Sequence, residues 1–304
     1  MKAAAELEPK SSQERVTARP LDWADWLLCP AVLLRVTILL TFLVYLRTIT
    51  FDWVFDDHLQ VTMNPWLASW GSLKQIFTLH SWAFTDYEVP AKFYRPLYLV
   101  WLLVNNQLFH GIPGWFHLAG VFLHLGAVYL AYLTARRLLD DATTAAIAAL
   151  LFALHPSKVE SVAWVAGLTE VLLAVFFFGT VLAYLRWVQE PLPQNRWLIV
   201  SAACFVGALF SKETAVLAPV LIAAHYWITG RRNIREFAKL MVPYVVVGFV
   251  YWVIRLSVMH GVAQLSGRLS LTKTLYDADG LVVVHRSHGL AFWAESLLPG
   301  DDCS

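Results

Sequence analysis

PLYLVWLLVNNQLF, residues 96–109, is the stretch whose reading decides how this chain is threaded. The chain around it is 58% hydrophobic and 15% charged, with mean hydropathy +0.56, well above a soluble domain. It therefore reads as a multi-pass membrane protein, in which Lys and Arg collect on the cytoplasmic side. If 96–109 spans, Arg136-Arg137, Arg186, Arg196 and Arg231-Arg232-Arg235 all face outward. If it lies in the interface or re-enters, all of them turn inward with Lys2, Lys10, Arg15 and Arg19. Length does not decide between these, because the apolar runs 142–154 and 197–210 are just as short. Charge decides for the second arrangement.

The remaining runs follow from that choice. WLLCPAVLLRVTILLTFLVYL, 26–46, is long enough to cross roughly 30 Å of hydrocarbon, with Arg35 its single charge, expected to pair within the bundle. Further runs cover 115–135, 142–154, 169–185, 197–210, 214–228 and 240–258. The expected fold class is thus an all-α membrane protein with about seven transmembrane helices and interfacial helices in a large first outer loop. Residues 1–25 read as a cytoplasmic tail, 26–259 as the transmembrane domain, 48–114 as the first outer loop, and 260–304 as an atypical C-terminal segment. The first apolar stretch is expected to be retained, not cleaved. Fourteen Trp and eleven Tyr suit a chain that crosses many membrane–water interfaces. A net charge of +1 gives no hint of a nucleic-acid partner, no basic run is long enough to suggest one, and none is expected. Cys29 and Cys204 lie in apolar segments and Cys303 is next to last, so no disulfide framework is expected.

The same choice places three polar connections on one side of the membrane: FDDH at 55–58, HPSKVESVAWVAGLTE at 155–170 and SKE at 211–213. Asp56 and Asp57 are adjacent, so in a loop their side chains point different ways. One could accept a proton while the other orients a partner, with His58 beside them. Arg95 opens the 96–109 run at this level, and His155, Glu160 and Glu170 belong to the second connection. Lys212-Glu213 lies between two apolar runs, where a charge costs a few kcal/mol unless it pairs or lines a wet cavity. His117 and His124 share a helical face, but no third ligand accompanies them, so no metal site is expected.

FDDHxxVxxNPW (55–66), FYRPL (93–97), the His pair in FHLAGVFLH, ALHPSKVESVAWVAG (153–167) and LFSKETAVLAP (209–219) together carry a resemblance. In order and spacing they resemble the transmembrane and tetratricopeptide-repeat O-mannosyltransferases and their bacterial relatives, glycosyltransferases of the GT-C superfamily. The resemblance runs from about residue 30 to 230. It implies a GT-C-type bundle that moves a sugar, a hexose such as mannose, from a polyprenyl-phosphate donor to an acceptor hydroxyl with inversion. By position it makes Asp56-Asp57 the acidic pair, with one as general base, and Arg95 and Lys212, with Glu213, the donor-binding group. His58, His155, Glu160 and Glu170 are substrate-side candidates. The implied partners are membrane lipids, the donor and a protein or lipid acceptor. No tightly bound cofactor is expected, and the need for a divalent metal is open. The membrane would be the inner membrane in a bacterium or the endoplasmic reticulum in a eukaryote.

The chain departs from these relatives in two places. Where they carry an Arg shortly before the acid of the 165–170 region, Leu168 and Thr169 precede Glu170. The substitution Leu168→Arg is expected to strengthen donor binding. The relatives also continue into tetratricopeptide repeats, whereas this sequence stops at Ser304, which suggests a truncated or inactive copy. A lipid or solute transporter using the same polar cavity is the other alternative, although no inverted repeat supports it.

Overall fold

The computed structural model describes residues 28–85, 93–190, 195–231 and 233–278, the last of these by backbone alone from 260. Two compact units divide the chain at Trp252 and Val253. In the first, α1 is Pro30–Leu46, α2 is Leu73–Thr78, α3 is Pro96–Phe109, α4 is Pro113–Leu139 and α5 is Ala142–Leu154. They are followed by α6, Lys158–Ala163; α7, Thr169–Gln189; α8, Asn195–Ser211; and α9, Leu217–Ile228. The last helix, α10, is Ile234–Ala278 and carries the described residues of the second unit. No strand occurs among the described residues. The expected tail at 1–25 and the segment 279–304 lie outside them.

Among the described residues, four segments are long and apolar enough to cross a membrane: Pro30–Thr50, Pro113–Leu139, Ala166–Gln189 and Ile234–Met259. Three shorter apolar helices, Ala142–Leu154, Asn195–Ser211 and Glu213–Ile228, complete the expected set. In lipid there is no hydrophobic force between helices, so close packing must hold them together. The run ATTAAIAALLFAL supplies it, because Ala145, Ala149 and Ala153 repeat every fourth residue on one face of α5. With Ala146 they are buried against Val128 and Tyr132 of α4. At the other end of α4, Gly114 admits the preceding chain. A Cβ there would lie 2.7 Å from the Ile49 carbonyl oxygen, backbone that cannot swing aside. Arg35 corrects an expectation: it is exposed on α1 and forms no ion pair among the described residues. Its long stem lets the guanidinium leave the bundle for the interface.

Helix α3 is fourteen residues long, about 21 Å at 1.5 Å per residue, a third short of a hydrocarbon core. Both of its ends are held by the same loop. Just before it, Tyr94 Oη donates to the Phe77 carbonyl at 2.8 Å, and the Arg95 N–H donates to Ser81 Oγ at 3.2 Å. Near its C-terminus, Asn106 and Gln107 donate through their side-chain amides to the Leu67 carbonyl at 2.9 and 2.8 Å. The apolar face between these anchors, Leu99, Leu102 and Leu103, packs with Val61, Leu67 and Ile76 of the loop and Phe116 of α4. Of the polar NNQ end, Asn106 and Gln107 are thus satisfied by the loop, while Asn105 Nδ2 donates to the Trp101 carbonyl within α3 at 2.8 Å.

Substituted cysteines test the resulting threading. A membrane-impermeant maleimide added from the outer side should label a cysteine at 160 and spare one at 138. Labelling at 138 with protection at 160 would make α3 a transmembrane helix.

Candidate active site

The three polar connections meet in one cleft of ≈ 410 Å³ beside the N-terminus of α7. Asp56 and Gln60 line it from the first loop, Arg95 from the start of α3, Glu160 from α6, Glu170 from α7 and Lys212 from the end of α8. The local backbone that presents the acids is unusual. Phe55 sits at φ 47°, a left-handed conformation that costs a bulky residue on the order of 1–3 kcal/mol. It turns the chain into a wide helical turn, His58–Thr62, closed by the Met63 N–H on the His58 carbonyl at 2.9 Å. Such π-type turns concentrate at functional sites.

Adjacent in sequence, Asp56 and Asp57 have different surroundings. Asp56 is half-buried and faces the cleft. Asp57 is fully buried, and both of its carboxylate oxygens are engaged. Its Oδ2 accepts from the Val54 N–H at 3.3 Å, while its own N–H donates to the Val54 carbonyl at 3.0 Å. Its Oδ1 accepts from the Ala166 N–H at 2.8 Å, across 109 positions of sequence. Burial pushes the Asp57 carboxyl above the usual carboxylate range, and the Ala166 and Val54 amides pull against that shift. Gly167, next to the donor, lets the connection fold onto α6, since a Cβ there would lie 2.8 Å from the Glu160 carbonyl oxygen.

The cations are paired across the fold. Arg95 grips Glu213 with Nε at 3.3 Å from Oε2 and Nη2 at 3.1 Å from Oε1, and its guanidinium lies 4.1 Å from the centre of the Phe93 ring. Lys212 Nζ donates to Glu170 Oε1. The two pairs differ in exposure: 16% and 25% for Arg95 and Glu213, 21% and 43% for Lys212 and Glu170. Glu170 is thus the carboxylate that can turn to water most cheaply.

Not every candidate reaches the cleft. His58 and His155 are exposed and lie outside its lining. His155 Nδ1 instead accepts from the Ser157 N–H at 3.2 Å and lies 2.8 Å from Ser157 Oγ, a local cap at the end of α5. His124 Nε2 lies 3.1 Å from the Ala153 carbonyl, which ties α4 to α5. His117 stands edge-on to Phe51. Trp82, Trp164, Ser161 and Gln60 also line the cleft. Ser161 and Trp164 belong to the 153–167 motif, whereas nothing local marks Trp82 or Gln60; indoles at the interface are common, and only the fold shows which ones turn inward. Tyr98 of α3 lies outside this lining. Its hydroxyl is buried without a hydrogen-bond partner among the described residues, within electrostatic reach of Asp57, Asp56 and Arg95.

Leu168 overturns the expectation that an arginine in its place would strengthen donor binding. It is completely buried and packs on Gly120 of α4, where an added Cβ would lie 2.9 Å from Leu168 Cδ2. The helical turn 166–168 points it into the core while Thr169 and Glu170 line the cleft. Leu168→Arg should therefore bury an uncompensated charge and cost about 3 kcal/mol or more, while Leu168→Met should cost less than about 1.5 kcal/mol. Thermal unfolding in detergent checks both values. A Leu168→Arg variant as stable as the native chain would place this side chain in the cleft after all.

Comparison with known proteins gives the family of the chain. Residues 95–266 match the dolichyl-phosphate-mannose-protein mannosyltransferase family. Protein O-mannosyl-transferase Tmtc2 of Drosophila melanogaster is 31% identical over 192 residues, 60% of this chain and 20% of that protein. Human protein O-mannosyl-transferase TMTC3 is 32% identical over 168 residues, 54% of this chain and 18% of its own length. Human protein O-mannosyl-transferase TMTC4 is 28% identical over 216 residues, 64% and 29% respectively. This chain thus spans about a fifth to under a third of the relatives' length. No solved structure matches it. With over half its length matched, and the matched part carrying Arg95, Glu160, Glu170 and Lys212, the chain belongs to the dolichyl-phosphate-mannose-protein mannosyltransferase family.

Proposed function

We propose that the cleft transfers a hexose, mannose by the names of its relatives, from a polyprenyl-phosphate donor to a hydroxyl of a protein acceptor. One observation carries this reading: a carboxylate, Asp56, and two cations, Arg95 and Lys212, from three distant segments meet around one cleft at the end of a membrane bundle. A donor with a membrane-bound lipid tail has to present its phosphate at such a place. The acceptor oxygen attacks the anomeric carbon, its proton passes to a carboxylate, and the bond from that carbon to the phosphate oxygen breaks. Polyprenyl phosphate leaves with the developing negative charge, which fixed cations in a water-poor site stabilise.

The division within the acidic pair follows from the surroundings. Asp56 has the open carboxylate and is the general base in this proposal. Asp57 is a positioning residue: by holding the Val54 and Ala166 amides it locks the turn bearing Asp56 against the α6–α7 connection. Among the cations, Lys212 is the phosphate contact, because its partner Glu170 is the more exposed and the donor phosphate can displace it. Arg95, gripped in two places by Glu213, supplies a fixed positive field.

Asp56→Asn should lower turnover with a polyprenyl-phosphate mannose by on the order of 10²-fold, with donor binding retained. Asp57→Ala should leave two amides without their acceptor and reduce stability by roughly 1–3 kcal/mol for each. Its activity should fall along with its thermal stability. If Asp56→Asn stays within a few fold of the native chain, Asp56 is not the base.

The cation assignment is tested in the same system. Lys212→Ala should weaken donor binding about ten-fold or more, as for loss of a charged hydrogen bond to phosphate. Glu170→Gln frees Lys212 and should strengthen it. Titration at fixed salt reads both, since exposed charges are screened. If the native chain binds no polyprenyl-phosphate sugar, the transferase reading fails.

A further inference from the structure

The far end of α7 carries a second polar cavity that the proposed transfer does not use. Arg136 and Arg137 at the end of α4 and Arg186 at the end of α7 line a pocket of ≈ 380 Å³, together with Asp140, Gln189 and two leucines. Helix α7 has 21 residues, which rise about 31 Å, close to the hydrocarbon thickness. Glu170 in its first turn faces the cleft and Arg186 in its last turn faces this pocket. The two cavities are therefore a bilayer apart, and the pocket lies at headgroup depth on the face that the charge bias assigns to the cytoplasm.

Arginines at helix C-termini on this face are ordinary, since they complement the helix dipole and obey the charge bias. That explains their presence but not their convergence on one concave wall. The wall is also built. Arg137 Nη1 donates to Gln189 Oε1 at 3.2 Å, and Gln189 Nε2 donates back to the Arg137 carbonyl at 2.9 Å, which locks α4 to α7. The Arg186 guanidinium rests 4.5 Å from the centre of the Trp197 ring, an indole at the start of α8 at interface level. Neither Arg136 nor Arg186 forms an ion pair among the described residues. Three guanidiniums face a single carboxylate, Asp140, so the pocket keeps a cationic excess.

We propose that this pocket binds an anionic phosphate group at the membrane surface, taken in the forks of Arg136 and Arg186 with Arg137 locked beside them. A guanidinium presents paired N–H donors that match two phosphate oxygens, and anionic lipids are enriched in the leaflet this face meets. The leucines of the wall suit the apolar part of a lipid next to its headgroup.

Native mass spectrometry of the full chain in detergent tests this, with dioleoyl phosphatidic acid as probe and dioleoyl phosphatidylcholine as the zwitterionic comparison. The native chain should prefer phosphatidic acid, and Arg136→Gln with Arg186→Gln should weaken that binding by about 5- to 20-fold, less than two fully buried charged contacts would give. Phosphatidylcholine binding should not change, and Asp56→Asn, at the other end of α7, should bind phosphatidic acid like the native chain. Competition by millimolar inorganic phosphate separates the sources: displacement identifies a soluble phosphate, and no displacement a lipid headgroup. Should the glutamine variant fail to fold, Arg136→Lys with Arg186→Lys replaces it and should lose several-fold in affinity. Undiminished binding in the variant that folds, or no preference for the anionic lipid, overturns the proposal.

Discussion

The buried carboxylate of Asp57 is the contact on which the arrangement of the cleft depends. It takes the Val54 N–H from its own loop and the Ala166 N–H from the connection that opens α7. A fully buried carboxylate is tolerated only when its oxygens are hydrogen-bonded, so this group demands both amides at once. Meeting that demand pins a loop that follows α1 to the α6–α7 connection, 109 positions away. Asp56 is then aimed at the cleft as a consequence, and the left-handed Phe55 is held in place by the same closure.

Around that fixed point the charges are arranged in crossed pairs. Lys212 and Glu213 are neighbours in the chain, yet Lys212 reaches Glu170 and Glu213 reaches Arg95. Partly buried pairs of this kind add little net stability, because desolvation offsets much of the attraction. Their effect is geometric. Each cation is held in a set position by an acid from a distant segment, so the positive charge at the cleft is organised in advance.

Helix α3 explains how a loop can form a floor for this chemistry. Its apolar face completes the core of the first loop, and hydrogen bonds to Leu67, Phe77 and Ser81 hold it near both ends. Arg95, at the start of α3, thereby lines the same cleft as Asp56 of the loop. Helix α7 then separates this face from the arginine-lined pocket by its own length.

Composition, the apolar runs and the sequence motifs by themselves determined the membrane class, the helices and the kinship. Those features depend on transfer of whole segments from water to lipid, which is additive along the chain and hence legible in it. The charge bias of the connections likewise indicated that FDDH, the 155–170 segment and SKE belong together. Only the tertiary structure decided what each side chain does there. It separated Asp56 from Asp57, gave Lys212 and Glu213 distant partners, turned Leu168 into the core against Gly120, and left His58 and His155 outside the cleft. It also brought in Trp82 and Gln60, which no motif announced, and gave Trp164 of the 153–167 motif a place in the lining. The reason is physical: side-chain direction is set by backbone phase and by contacts with residues a hundred positions away. One residue's rotation about a helical turn exchanges core for cleft without changing the local sequence.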